Sequence, residues 1–335
     1  MSNFLFNEAS SEQKKAIKSK KRELSRVKRE LRATKERAEF VDRRRRKKRL
    51  EQEIFQLERE IRTSNERAGS EEQGVGALPD FLIIGAMKSG TTFLYNLLTL
   101  HPLVEPAAAK ELHYFDNLIE EEDSEWYRRC FPQPRWEDGR RTITGEATPS
   151  YLPHPHAPER VAEVVPLARL IALLRNPVDR AYSDHQQKAR KNRVNRTFEE
   201  TIVAKKVRQH GKGGKTSERE DREDHVGLDD DSNYLSRGIY VDQLMRWSRF
   251  FGDEQMLVLK SEDLFERPQD TLKLVLNFLD LPDWEPEAWE KIPKKRNKNR
   301  AHEQKMDPAT RRRLEEYFEP HNRRLYEYLG VDLGW

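Results

Sequence analysis

The sequence predicts an α/β domain, a parallel sheet flanked by helices, preceded by a long helical arm. Three observations predict it. Short, fully apolar runs recur at Phe81–Ile84, Leu170–Leu174 and Met256–Leu259, each suited to a strand buried on both faces. Apolar residues at helical spacing follow these runs, so strands and helices alternate, as in a parallel sheet with crossover helices. Residues 11–68 are different: they contain no Gly and no Pro, and their apolar residues return every seven positions.

The arm comes first. Ile17, Leu24, Leu31 and Ala38 keep the seven-residue interval, with Val27 and Val41 between them. After the basic run Arg43 to Arg49 the pattern resumes in a shifted phase at Leu50, Ile54, Leu57 and Ile61. Residues 1–70 are expected to form a long helix, a coiled coil with a phase break that self-associates. The alternative is a single solvated helix lying on the body. The chain carries a net charge of +4, but residues 11–68 hold 22 Lys and Arg against 11 Asp and Glu. The remainder holds 41 against 48. The basicity therefore belongs to the arm, where it reads as a solvated face, and no nucleic-acid partner is expected.

Residues 71–78, with Gly74 and Gly76, read as a linker, and the globular domain is expected over 79–335. Hydrophobic residues make up 35% and charged residues 36% of the chain. Cys130 is the single cysteine, which excludes an internal disulfide and a cysteine metal cluster. No apolar run approaches the ~20 residues that a spanning helix needs, and no signal-peptide core is present. A soluble cytoplasmic protein is the expectation.

Within the domain, Phe93, Leu97 and Leu100 give the first helix. Asn176 and Pro177 cap and open another after the Leu170–Leu174 strand. Pro268 opens a helix with Leu272, Val275 and Leu279 on one face. Asp307 and Pro308 start the last, which Gly330 ends and Pro320 should bend or split. Residues 188–235, with Gly211 to Gly214 and a charge run from Glu218 to Asp224, are expected to form a mobile surface insertion.

The chemistry concentrates after the first strand. The turn Gly85-Ala-Met-Lys88-Ser89-Gly90-Thr91-Thr92 joins strand to helix. Its glycines allow close backbone approach to an anion, the helix N-terminus favours phosphate, and Lys88 sits within the turn. A nucleotide-triphosphate loop requires Lys directly after the second Gly; here Thr91 follows Gly90 and the lysine precedes it. The turn suits a 5′-phosphate but misplaces the usual lysine and magnesium contacts, which favours a donor other than ATP.

Here the sequence resembles a known family. Lys88-Ser-Gly-Thr-Thr92 is similar to the 5′-phosphosulfate loop of the sulfotransferases that use 3′-phosphoadenosine-5′-phosphosulfate (PAPS). Leu173-Leu-Arg175-Asn-Pro-Val-Asp-Arg-Ala-Tyr-Ser183 is similar to their 3′-phosphate segment. Lys110-Glu111-Leu-His113-Tyr-Phe-Asp116, Gly145-Glu146-Ala-Thr-Pro-Ser-Tyr151 and Arg237-Gly-Ile-Tyr240-Val-Asp-Gln243 resemble the heparan-sulfate-type branch. The resemblance covers residues 79–335 and leaves the arm outside.

It implies that PAPS is held by Lys88, Ser89, Gly90, Thr91, Thr92, Arg175 and Ser183. Arg175 follows a strand at its carboxyl end, where ligands bind in such sheets, and its guanidinium can grip a phosphate bidentately. Glu111 matches the family's general base; His113, a further catalytic candidate, and Asp116 lie two and five residues on, placed to orient Glu111 or to bind the acceptor; Lys110 is a further acceptor-binding candidate, and Glu146 is a candidate to hold the acceptor or orient the donor loop. On chemistry alone, Lys110 and Glu111 read equally as exposed charges, His113 as a packed histidine and Glu146 as half of an ion pair. Ala147 stands where many relatives have Lys, and Lys294 to Arg300 is basic without the glycine pattern of animal relatives. The resemblance implies in-line sulfuryl transfer to a hydroxyl or amine, on a sugar or polysaccharide, with no metal required. A small-molecule kinase and a non-catalytic nucleotide-binding scaffold are the rivals; the first would need ATP and Mg²⁺.

Overall fold

The computed structural model describes residues 14–27, 46, 49, 50, 53, 57, 76–119, 122–191, 193–202, 234–287, 289, 292 and 306–335. The domain elements, numbered within it, are β1 (Phe81–Gly85), α1 (Thr91–Leu98), β2 (Val104–Pro106), α2 (Ser124–Arg129), β3 (Trp136–Glu137), β4 (Arg140–Arg141), β5 (Ile143–Ala147), α3 (Ala157–Val164), β6 (Arg169–Leu174), α4 (Pro177–Arg190), α5 (Tyr240–Trp247), β7 (Met256–Lys260), α6 (Ser261–Glu266), α7 (Pro268–Phe278) and α8 (Pro308–Leu329). The expected strands are β1, β6 and β7.

The central sheet has the order β2-β5-β1-β6-β7, and every pairing in it is parallel. Phe81 pairs with Gly145 on one side and Arg169 on the other. Alternation along β1 and β6 builds two cores. Leu82, Ile84, Leu170, Ala172 and Leu174 face one with Trp247 and Val161; Phe81, Ile83, Ile171 and Leu173 face the other with Leu94, Leu97 and Val275. After β1 the chain crosses to β2 at one edge, and after β6 it crosses to β7 at the other. The crevice between the carboxyl ends of β1 and β6 is thus the switch point where open α/β sheets bind ligands.

Helix ends follow local chemistry. The Asn176 side chain accepts hydrogen bonds from the amides of Val178 (3.0 Å) and Asp179 (3.3 Å), and Asp307 accepts from Thr310 N–H at 2.8 Å. Gly330 ends α8 at φ 73°. Pro320 does not split α8. Buried Thr310, Leu314, Phe318, Asn322 and Leu325 form a stripe on both sides of it, so packing outweighs the one backbone hydrogen bond that proline removes. A small hairpin, β3–β4, is turned by Asp138 and Gly139 at φ 48° and 76°.

Two expectations are corrected. The start of the predicted insertion is packed: α4 runs to Arg190, Phe198 is buried with Tyr234, and His185 Nε2 lies 3.0 Å from the Arg196 carbonyl. Its centre lies outside the described residues, as does Lys294–Arg300. The arm is not one rod. Lys20 pairs with Glu53, and Arg46 pairs with Glu23 at 2.6 Å. A continuous helix would hold residues 20 and 53 roughly 50 Å apart, so the arm doubles back with the two segments antiparallel. Val27 and Leu50 are buried within this one chain. The linker also docks at its end: Ala77 N–H bonds to the Phe131 carbonyl at 3.4 Å. No described helix is long and apolar enough to cross a membrane.

Candidate active site

The turn after β1 is shaped by two left-handed residues, Lys88 at φ 72° and Gly90 at φ 98°. A side chain at Gly90 would meet Phe265 Cζ at 2.9 Å, so both conformation and space demand glycine. Ser261 Oγ donates to the Ser89 carbonyl at 2.7 Å, and Arg175 Nη1 donates to the Lys88 carbonyl at 3.1 Å. The loop is therefore fixed from β6 and from α6. The N-terminus of α1 has no side-chain cap, and the fully buried Ser89 Oγ has no hydrogen-bond partner. Open amides and an orphaned hydroxyl are the groups that an anion would satisfy.

The electrostatics agree. Burial lowers the Lys88 pKa; Asp184 opposes this, while Arg190, Arg175 and Lys191 lower it further. Lys88 thus stands in a field of cations, and an oxyanion placed among them would favour its charged form. Arg175 is oriented through its carbonyl, which accepts from Tyr240 O–H at 2.8 Å. Ser183 is half-buried on α4, two turns from the Asn176 cap. The residues expected to hold the donor therefore gather on β1–α1 and β6–α4, the two strands that flank the switch point.

The second cluster follows β2. Glu111 (φ 63°) and His113 (φ 56°) are both left-handed, and a π-helical turn, Tyr114–Leu118, begins directly after them. Such backbone is costly and persists only where surroundings enforce it. His113 Nδ1 lies 3.0 Å from Asp116 Oδ2, and His113 Nε2 lies 4.0 Å from Glu111 Oε2. Asp116 also accepts from Ser150 Oγ, and Glu111 pairs with Lys110. The Glu111 side chain is 44% exposed. The hydrogen bond to Asp116 raises the His113 pKa; burial opposes, and the charges of Asp116, Glu111 and Glu146 add to the rise. Because the folded value lies above the unfolded one, His113 stabilises the fold below the ordinary imidazole pKa, a contribution lost as pH rises through the raised value. Asp116→Asn should lower the His113 pKa in an NMR titration of its ring protons; an unmoved value contradicts this origin.

Glu146, expected to bind acceptor, has no exposed surface. It accepts from Tyr127 O–H (2.6 Å), Thr148 Oγ1 (2.6 Å) and Tyr151 O–H (3.0 Å), and also from the Leu112 amide. Burial pushes its pKa up, and these four donors hold it back. Tyr151 O–H in turn accepts from the Tyr114 amide at 3.0 Å. Glu146 is thus a hub that clamps the Glu111–His113 backbone from within. Glu146→Ala would strand four buried donors and should cost about 3–5 kcal/mol in urea unfolding at unchanged m. A loss under 1 kcal/mol would contradict the hub.

The two clusters are joined. Leu152 N–H bonds to the Ile84 carbonyl at 2.8 Å, and a side chain at Gly85 would strike Leu152 and the Pro149 carbonyl. Ser150, between them, holds Asp116. Ser150, Tyr127, Tyr151 and Ser261 have no assigned role in the sequence reading. The first three are tied to the site by contacts 5 to 37 positions apart in the chain and Ser261 by one of 172.

Fold and site together define a parallel α/β protein with an uncapped helix N-terminus and a buried, unpartnered serine hydroxyl at the switch point, joined to a carboxylate–histidine cluster. Residues 78–325 match the sulfotransferase domain family, and the chain belongs to it, in the heparan-sulfate-type branch. It is 31% identical over 283 residues to human heparan sulfate glucosamine 3-O-sulfotransferase 3A1, covering 79% of this chain and 64% of that protein. It is 32% identical over 276 residues to human heparan sulfate glucosamine 3-O-sulfotransferase 6, covering 77% and 73%. Among solved structures, a sulfotransferase from Alicyclobacillus acidocaldarius superposes with a TM-score of 0.59 at 26% identity, over 77% of this chain and 98% of that one.

Proposed function

We propose that this protein transfers a sulfuryl group from PAPS to a hydroxyl of a sugar or polysaccharide. One observation carries the proposal: an anion cradle built on Lys88 and the orphaned Ser89 hydroxyl is tied through residues 149–152 to the Glu111–His113–Asp116 cluster. The relatives named for heparan sulfate glucosamine support a carbohydrate acceptor.

The donor supplies the sulfuryl group and leaves as 3′,5′-ADP. The amides of Gly90 to Thr92, the Ser89 hydroxyl and Lys88 hold its 5′ end; Arg175 and Ser183 hold the 3′-phosphate. The Lys88 ammonium stabilises the charge that grows on the oxygen released from sulfur. Glu111, reachable from solvent, accepts the acceptor's hydroxyl proton as the new oxygen–sulfur bond forms. His113, locked by Asp116, presents Nε2 towards Glu111 and orients it; Glu146 keeps both on their strained backbone. Lys110 pairs with Glu111 in the resting state and is freed towards an anionic or hydroxylated acceptor.

The test is incubation of the full chain with ³⁵S-labelled PAPS and a panel of heparan sulfate, other glycosaminoglycans, simple sugars and phenols. Label on a carbohydrate hydroxyl is expected. Label on phenols alone would overturn the acceptor class.

A further inference from the structure

Residues 331–335 fold back onto α8. Gly330 ends that helix in the left-handed conformation, Asp332 Oδ1 accepts from the Gly334 amide at 2.7 Å, and Gly334 at φ 69° turns the backbone again. The Trp335 amide donates to Tyr326 Oη at 2.9 Å, and Tyr326 O–H donates to the Trp335 main-chain oxygen at 3.2 Å. One hydroxyl thus pins both backbone groups of Trp335, so the indole is placed by its own main chain. Its ring lies against Tyr240, with centroids 6.0 Å apart and planes at 59°. The buried Nε1 has no hydrogen-bond partner among the described residues, so a hydrogen bond is not what keeps a tryptophan here.

Tyr240 links this contact to the site. It is buried, it touches Trp335 through its ring, and its hydroxyl donates to the Arg175 carbonyl at 2.8 Å. Arg175 in turn donates to the Lys88 carbonyl at 3.1 Å. We propose that Trp335 is a positioning residue for the grip on the nucleotide's 3′-phosphate, acting through Tyr240, an inference that rests on the donor reading above. A phenol holds its hydroxyl only as firmly as its ring is packed. Without the indole, Tyr240 gains room, its bond to the carbonyl slackens, and the Arg175 guanidinium loses the direction that a bidentate phosphate contact requires. The loop around Lys88 has a separate anchor in Ser261, so the 5′ end of the nucleotide is held independently of Trp335.

The experiment is isothermal titration of the full chain, wild type and variants, with 3′,5′-ADP and with 5′-AMP, which keeps the 5′-phosphate and lacks the 3′-phosphate. Trp335→Ala should weaken 3′,5′-ADP about three- to tenfold, the scale of one aromatic contact expressed as affinity. It should leave 5′-AMP unchanged, and Trp335→Phe, which keeps a ring, should restore 3′,5′-ADP. Tyr240→Phe, which deletes the hydroxyl, should show the same selective loss, and adding Trp335→Ala to it should cost nothing further. Should the alanine variant not fold, Trp335→Leu keeps apolar bulk without the ring and should reproduce the loss. Unchanged 3′,5′-ADP affinity, equal loss for both ligands, or additive losses in the double variant overturn the positioning role while leaving the donor reading intact. Wild-type protein that binds neither ligand, or binds 5′-AMP as tightly as 3′,5′-ADP, overturns both.

Discussion

Lys88→Ala is expected to lower kcat by about 10²–10³, the usual loss when one preorganised charge donor is removed from a developing oxyanion. The fold should survive. Lys88 forms no ion pair among the described residues; Asp184, the one charge that favours it, already pairs with Arg180, and Arg190, Arg175 and Lys191 oppose it, so removing its charge strands no partner. Its left-handed backbone at φ 72° disfavours alanine as much as lysine, which removes backbone strain as an alternative cause. Binding of 3′,5′-ADP should weaken far less than kcat falls, because the loop amides, Ser89 and Arg175 remain. Single-turnover transfer from labelled PAPS separates the two effects. Near-normal turnover in this variant would remove Lys88 from the transition state.

Glu111→Gln is the second large effect. A positioned proton acceptor contributes about 10²–10⁴ in rate, and glutamine keeps shape and exposure while losing basicity. The lost pair with Lys110 is a surface interaction worth at most about 1 kcal/mol, so stability should barely move. The loss should appear in kcat, with donor KM unchanged, because Glu111 lies after β2 while the cradle is built on β1 and β6. Replacing His113 with Asn should produce a smaller fall, since His113 touches Glu111 only at 4.0 Å and acts by orienting it. A Glu111→Gln enzyme with wild-type kcat would require another base.

Where local chemistry decides structure, the sequence was enough. The apolar runs became β1, β6 and β7; Asn176, Asp307 and Gly330 cap the helices their residue types predict. The strand–turn–helix geometry was legible because Gly90, Lys88 and the helix start lie within one turn. What escaped was long-range. Glu146 reads on the page as a strand-end charge, and only folding gathers Tyr127, Thr148, Tyr151 and the Leu112 amide round it. The antiparallel arm escaped for the same reason: a seven-residue repeat specifies an apolar stripe without saying whether its partner is another chain or the same one returning. Pro320 shows the opposite error, a local rule overridden by a buried stripe. The short edge strand β2 and the Asp138-Gly139 hairpin carried weak signals, although the Asp-Gly pair was readable.

Titration of the full chain with 3′,5′-ADP, beside ATP with Mg²⁺, tests the proposed nucleotide cradle most directly. Saturable binding of 3′,5′-ADP that persists in EDTA and exceeds the affinity for ATP with Mg²⁺ is the predicted result. No binding of 3′,5′-ADP, or tighter binding of ATP with Mg²⁺, would contradict it.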